Sequence, residues 1–234
     1  MSNDASISIN KFIAGTGVCS RREADRMLDA GRITLNGKVA KRGNRVEDGN
    51  VVLLDGKPLL EKPTTVYLAL NKPAGITCTT DQRDKTNIID YLQYPERIFP
   101  IGRLDKPSTG LLLLTNDGDI VNKILRVENA HDKEYIVTVN KPFNRDFIKR
   151  MSGGLPILDT VTKRCEVEKL GPNRFRIVLM QGLNRQIRRM CEYLGYEVKT
   201  LERVRIMNVR LDKMEVGELR ELRADELEVL LALL

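Results

Sequence analysis

Beyond Thr64 the sequence alternates between two apolar periodicities, and this alternation constrains the fold more than any other feature. Strand-like runs (VYLAL from Val66, YIVTV at 135–139, RFRIVLM at 174–180, MNVRL at 207–211) alternate with helical ones (IVNKILRV from Ile120, RDFIKRM from Arg145, RQIRRMCEYLG from Arg185). Such interleaving predicts an α/β (α+β) domain built on a mixed, largely antiparallel sheet flanked by helices. The last 21 residues, from Met214, carry six acids against two arginines, and ADELEVLLALL reads as an amphipathic closing helix.

Residues 6–60 follow another pattern, that of a compact α/β module. Ile9, Phe12 and Ile13 form a short apolar helix face that Gly15 and Gly17 end. Ser20-Arg21-Arg22-Glu23 is a capping box, followed by Ala24, Met27 and Leu28 on one face and by Gly31 as a stop. Ile33 and Leu35 alternate with polar residues before Asn36-Gly37, a strong hairpin signal, and VVLL at 51–54 leads into the Asp55-Gly56 turn. The pattern changes across Glu61-Lys62-Pro63-Thr64, which places a domain boundary there: residues 1–63 and residues 64–234.

A formal charge of +7 over 234 residues favours an acidic partner without identifying one. Lys11, Arg21, Arg22, Arg26, Lys41, Arg42 and Arg45 could form one basic side of the first domain, although a solvated helix face would look the same. The cysteines Cys19, Cys78, Cys165 and Cys191 are dispersed, with no C-x-x-C pair for zinc or redox work. One histidine, His131, excludes a mechanism built on several. Asn116-Asp117-Gly118-Asp119 lacks the later glutamate of a calcium loop and reads as a tight turn before a helix, so no metal site is expected. The start lacks the blocks of a signal peptide and no stretch approaches a membrane span, so the expectation is a cytoplasmic chain with no membrane partner.

In GRLDKPSTGLLLLTNDGD, from Gly102 to Asp119, Asp105 precedes turn formers, and in an arbitrary loop such an aspartate only accepts turn hydrogen bonds. Two resemblances change its standing. INKFIAGTGVCSRREADRMLDAGRITLNGKVA, from Ile9, resembles an S4 domain, a small RNA-binding module. The segment around Asp105 resembles the G-R-L-D-x-x-T/S-x-G-L-L-L-L-T-N-D-G signature of pseudouridine synthases of the RsuA-type branch. LNKPAGITCTT at 70–80, KEYIVTV at 133–139 and QGLNRQIRRM at 181–190 are similar to that family's other motifs, in its order. NKILRVENAHDKEYIVTVNKP and GLPILDTVTKRC look most like the RluF-type members, which act on 23S ribosomal RNA.

The resemblance implies an isomerase that cuts a uridine from its sugar at N1, turns it and rejoins it through C5, with no cofactor. It implies Asp105 as nucleophile, Arg188 as the guanidinium that compensates the carboxylate, and Tyr135 stacking on the uracil. The residue types suit this chemistry: a carboxylate is already ionised at neutral pH, and a permanently charged arginine offsets its burial. Arg103 is similar in position to an arginine that fills the vacancy left by a flipped nucleotide, and Leu201 to an apolar residue beside the site. Lys72, Arg185 and Arg189 are candidates for phosphate contact. The implied partner is RNA, 23S rRNA first and tRNA as a further class, met by a monomer. A non-catalytic, ribosome-associated S4 protein is the alternative, and the joint presence of Asp105, Tyr135 and Arg188 argues against it. A hydrolase using an aspartate nucleophile would call for a metal site or a water-activating base, and neither is evident.

Overall fold

The computed structural model describes residues 6–59, 64–125 and 131–234. The expected boundary at Pro63 lies outside these residues, as do Arg126 and Val127 of the run read as helical from Ile120. Two compact units emerge, one of Met1–Thr65 with Pro95–Arg97, the other of Val66–Tyr94 with Ile98–Leu234.

The first unit runs β1 (Ile7–Ser8), α1 (Ile9–Gly15), α2 (Arg21–Asp29), β2 (Ile33–Leu35), β3 (Lys38–Val39), β4 (Arg45–Val46), β5 (Val52–Leu54) and β6 (Lys57–Pro58). Strands β3-β2-β5-β6 form one antiparallel sheet, and β1 pairs with β4. Both hairpins turn through consecutive left-handed residues, Asn36 and Gly37 (φ 49° and 78°), then Asp55 and Gly56 (φ 49° and 77°). That geometry matches the twist of the flanking strands and selects these residue pairs. Ile9, Ile13, Ala24 and Leu28 bury the helix faces against Ile33, Val46 and Val52. The capping box forms by half: Ser20 Oγ accepts from the Glu23 N–H at 3.1 Å, but the Glu23 carboxylate pairs with Arg26.

The second unit runs β7 (Tyr67–Lys72), α3 (Ile88–Leu92), β8 (Phe99–Ile101), β9 (Thr109–Thr115), α4 (Gly118–Leu125), β10 (Lys133–Val139), α5 (Arg145–Gly153), β11 (Pro156–Ile157), β12 (Thr160–Val161), β13 (Glu166–Lys169), β14 (Arg174–Leu179), α6 (Gln186–Tyr193), β15 (Val198–Ile206), β16 (Val209–Arg210), β17 (Leu219–Glu221) and α7 (Ala224–Ala232). Its sheet is ordered β13-β14-β10-β15-β9-β7-β17, with β8 on β9 and β16 on β15. Every pair is antiparallel except β15 with β9. The four leucines form β9, a strand buried on both faces: Leu111 and Leu113 pack with Ile120, Ile124 and Leu230, while Leu112 and Leu114 pack with Ile88, Ile98 and Leu104.

Two strand assignments change. The run MNVRL is a turn followed by a short strand, because Met207 is left-handed (φ 50°) and closes a hairpin between β15 and β16. The nine-residue β15 lies just before it, where charged residues and the two register shifts in its pairing with β10 obscure any clean alternation.

The parallel contact requires Gly110. Its φ is 100°, and a Cβ there would lie 2.7 Å from the Arg203 backbone nitrogen. Strain of this kind costs about 1–3 kcal/mol and overpacking a similar amount. Gly110→Ala should therefore lower unfolding stability by about 3 kcal/mol in urea melts; an unchanged midpoint would show that β9 and β15 can separate freely.

Candidate active site

Between β8 and β9 the chain must reverse, and Asp105 takes part in that reversal through its backbone: the Ser108 N–H donates to the Asp105 carbonyl at 2.9 Å. The carboxylate is thereby left free of turn-making and lines a cavity of about 930 Å³. Asp105 both bends the chain and presents its carboxylate to the cavity.

Lys72, at the end of β7, holds this loop from behind. Its side chain is fully buried, and Nζ donates to the carbonyls of Pro73 (2.7 Å), Ser108 (2.8 Å) and, at longer range, Lys106 (3.4 Å). Burial lowers its pKa, while Cys78 and Asp105 act in the other direction. The expectation that Lys72 touches phosphate is corrected here: its ammonium is committed to backbone and reaches no solvent. The Gly75 N–H adds a bond to the Lys106 carbonyl at 2.8 Å, and the Leu104 N–H donates to Cys78 Sγ at 3.4 Å. From the far side, Arg203 Nε donates to the Leu111 carbonyl (2.7 Å) and Nη1 to that of Arg103 (3.3 Å).

Helix α6 brings the arginines. Arg188 Nε stands 3.5 Å from Asp105 Oδ2, and Arg185 Nη1 stands 3.7 Å from the same oxygen. Arg188 is the more enclosed of the two, its side chain 14% exposed against 46%. Arg188 Nη2 donates to Ser108 Oγ at 3.0 Å and Nη1 to the Val198 carbonyl at 3.4 Å, which fixes the guanidinium plane. Burial lowers the Arg188 pKa, and the Asp105 charge beside it opposes that shift. Arg185 caps α6 in a left-handed backbone (φ 51°), a conformation that costs a non-glycine residue about 1 kcal/mol. Arg189 departs from its expected place: it bonds the Asn184 carbonyl (3.1 Å) and Oδ1 (3.3 Å) and does not line the cavity.

Tyr135 and Leu201 reach the same cavity from neighbouring strands, since β10 sets Tyr135 opposite Arg203 and Val137 opposite Leu201 on β15. Arg103 lines it as an exposed residue. Asp105, Tyr135, Arg188, Arg103, Arg185 and Leu201 thus meet around one volume, as their separate motifs predict. Ser108, Lys133 and Arg203 also contribute to the site. Sequence pattern does not single them out, because a buried arginine in a strand and a serine after proline carry no periodic signal.

The Asn116–Asp119 turn forms as expected, with Asp117 accepting from Asp119 N–H (3.0 Å) and from the Tyr67 hydroxyl (3.1 Å) before α4 begins. Among the described residues no group of three or more His, Cys, Asp or Glu side chains could hold a metal ion, and no helix is long and apolar enough to cross a membrane. In the first unit Arg21, Arg22 and Lys41 are exposed, but the basic side is less free than its composition suggests. Arg26 pairs with Glu23, Arg42 with Asp29, and Arg45 donates to Ser6. Exposed pairs of this kind are worth at most about 1 kcal/mol, so a phosphate could displace the carboxylates.

Comparisons with known proteins give the family. Residues 66–193 match the RNA pseudouridylate synthase family and residues 8–52 the S4 domain. The chain is 56% identical over 226 residues to the dual-specificity RNA pseudouridine synthase RluF of Escherichia coli (strain K12), covering 96% of this chain and 78% of that one. It is 32% identical over 234 residues to the ribosomal large subunit pseudouridine synthase B of Bacillus subtilis (strain 168), covering 96% of each. A crystal structure of a pseudouridylate synthase superposes with a TM-score of 0.70 at 29% identity, covering 96% of this chain and all of the other.

The role of Lys72 generates a prediction independent of any activity. Lys72→Met removes three donors and leaves buried carbonyls unsatisfied, at about 1–3 kcal/mol for such a loss. A lower thermal midpoint for the variant is expected. An unchanged midpoint would mean that the ammonium does not anchor the loop.

Proposed function

Since the chain belongs to the RNA pseudouridylate synthase family and is an isomerase acting on RNA uridine, we propose that it modifies 23S ribosomal RNA with Asp105 as its nucleophile. The observation that carries this reading is the setting of Asp105: its carboxylate faces the cavity between Arg188 at 3.5 Å and Arg185 at 3.7 Å. Among the described residues that line the cavity no second carboxylate stands beside Asp105 to activate water, and the one histidine, His131, is buried with Nδ1 on the Ile124 carbonyl.

The residues divide the work as follows. Tyr135 offers a ring on which an extruded uracil stacks, and Leu201 closes the apolar side. A uridine within folded RNA must leave its stack to reach Asp105, at a cost of a few kcal/mol. Arg103, exposed at the cavity, enters the vacated space and offsets part of that cost. Asp105 attacks C1′ and later leaves it, and Arg188 stands beside the carboxylate oxygen that forms and breaks this bond. Ser108 and Val198 fix the Arg188 guanidinium, so its charge needs no reorganisation as the reaction proceeds.

The S4-like unit docks RNA and supplies no reacting group, because every residue assigned to the chemistry lies in the second unit. The names of the two relatives support ribosomal RNA as the target and a second RNA class beside it, for which transfer RNA is our candidate.

Asp105→Asn keeps the shape and removes the nucleophile. It should abolish isomerisation of a ribosomal RNA fragment while RNA affinity stays within about threefold. Substantial turnover by the purified variant would remove Asp105 from the mechanism.

A further inference from the structure

The described residues lining the cavity include one carboxylate, Asp105, against the cations Arg103, Lys106, Lys133, Arg185, Arg188 and Arg203. Asp105 already engages Arg185 and Arg188, and Arg103 and Lys106 are exposed, within reach of water and phosphate. Lys133 and Arg203 are different. They project from the sheet beside Tyr135, with Lys133 two residues away on the same face of β10 and Arg203 directly opposite on β15.

The two faces of this part of the sheet treat cations differently. On the face that carries Glu134, Arg176 bonds Glu134 (2.9 Å) and Glu166 (2.7 Å), and Arg205 bonds Glu134 (3.0 Å) and Asp132 (2.7 Å). On the cavity face neither cation bonds a carboxylate of the described residues. Lys133 Nζ donates to the His131 carbonyl at 2.9 Å, and Arg203 donates only to carbonyls, with Nη2 buried and unpartnered. Burial and the nearby Arg203 charge push the Lys133 pKa down to about 8, a penalty that an anion beside it would relieve.

We propose that Lys133, backed by the buried charge of Arg203, binds the uracil ring while it is detached from its sugar and holds the negative charge on its carbonyl oxygens. This rests on the reading that the target uridine enters the Asp105 cavity. When the C1′–N1 bond breaks, its electron pair leaves with the ring, and an Asp105 oxygen supplies the pair for a new bond to C1′. The resulting uracil anion spreads its charge over N1 and both carbonyl oxygens. In the return step C5 bonds C1′, the carboxylate leaves with its pair, C5 loses a proton and N1 gains one, so composition is unchanged. A hydrogen bond from an ammonium to an anionic oxygen is roughly twice as strong as one between neutral groups, so Lys133 favours the detached ring over the bound nucleoside. The phosphates fall to the exposed arginines and to Lys106, because a phosphodiester stays at the rim while the base is carried to the floor.

The test is single-turnover consumption, at saturating enzyme, of the target nucleoside in a ribosomal RNA stem-loop carrying uridine or 5-fluorouridine. Because fluorine leaves C5 no proton to lose, the readout with 5-fluorouridine is loss of the starting nucleoside through C1′–N1 cleavage and not pseudouridine formation. The wild-type protein is compared with Lys133→Met, Lys133→Gln and Lys133→Arg, with folding and RNA affinity checked on the same samples. Fluorine already stabilises the detached anion, so it should mask the missing cation. Lys133→Met is expected to slow uridine about 100-fold, as loss of one preorganised donor does elsewhere. The loss with 5-fluorouridine should be at least about tenfold smaller, RNA affinity should stay within about threefold, and Lys133→Arg should recover about tenfold. Lys133→Gln preserves a donor to the His131 carbonyl, and should show the same substrate dependence if Lys133→Met fails to fold. Equal losses with both substrates, an unchanged saturated rate, or a loss of affinity alone would overturn the inference. A wild-type protein that consumed neither substrate would instead overturn the reading of the cavity itself.

Discussion

Lys72 gives its ammonium to the carbonyls of Pro73, Lys106 and Ser108, and the placing of Asp105 follows from those bonds. A loop that must expose a carboxylate cannot also use it as structural glue, so its backbone has to be held by other groups. Lys72 holds it from β7, Arg203 holds its flank from β15, and Ser108 closes the turn on the Asp105 carbonyl. Burying a lysine solely to bond carbonyls is costly, and burial does lower its pKa. The outcome is a carboxylate whose position is set by the sheet and not by the loop's own preferences.

Electrostatics follow from the same arrangement. Beside Asp105, the charged side chains among the described residues that line the cavity are all cations. Arg188 is the closest partner at 3.5 Å and is itself fixed by Ser108, so the loop and α6 are tied through one guanidinium. On the other face of the sheet Glu134 is shared by Arg176 and Arg205, and at the start of α7 Glu226 is shared by Arg220 and Arg223.

Local signals in the sequence carried the hairpins, the helix faces and the sheet class, because Asn36-Gly37, Asp55-Gly56 and the apolar alternation act over a few residues. The motif residues Asp105, Tyr135 and Arg188 were legible by resemblance, and the fold does gather them around one cavity. What remained hidden depends on tertiary contact. Lys72 resembles a phosphate ligand until the strand that carries it is seen to run beneath the loop. Strand β15 escaped notice because its inward-facing Arg203 breaks the apolar pattern of a buried strand. Arg26 and Arg42 looked free in the sequence, since the carboxylates that hold them answer to helix geometry and to tertiary packing.

The account stands on one claim, that this cavity isomerises uridine in ribosomal RNA through Asp105. Mapping of pseudouridines across ribosomal and transfer RNA, in cells lacking the protein and in the same cells supplied with wild-type or Asp105→Asn chains, tests it directly. The account predicts that at least one pseudouridine in 23S RNA disappears without the protein, returns with the wild-type chain and stays absent with Asp105→Asn. A modification pattern identical in all three would contradict it.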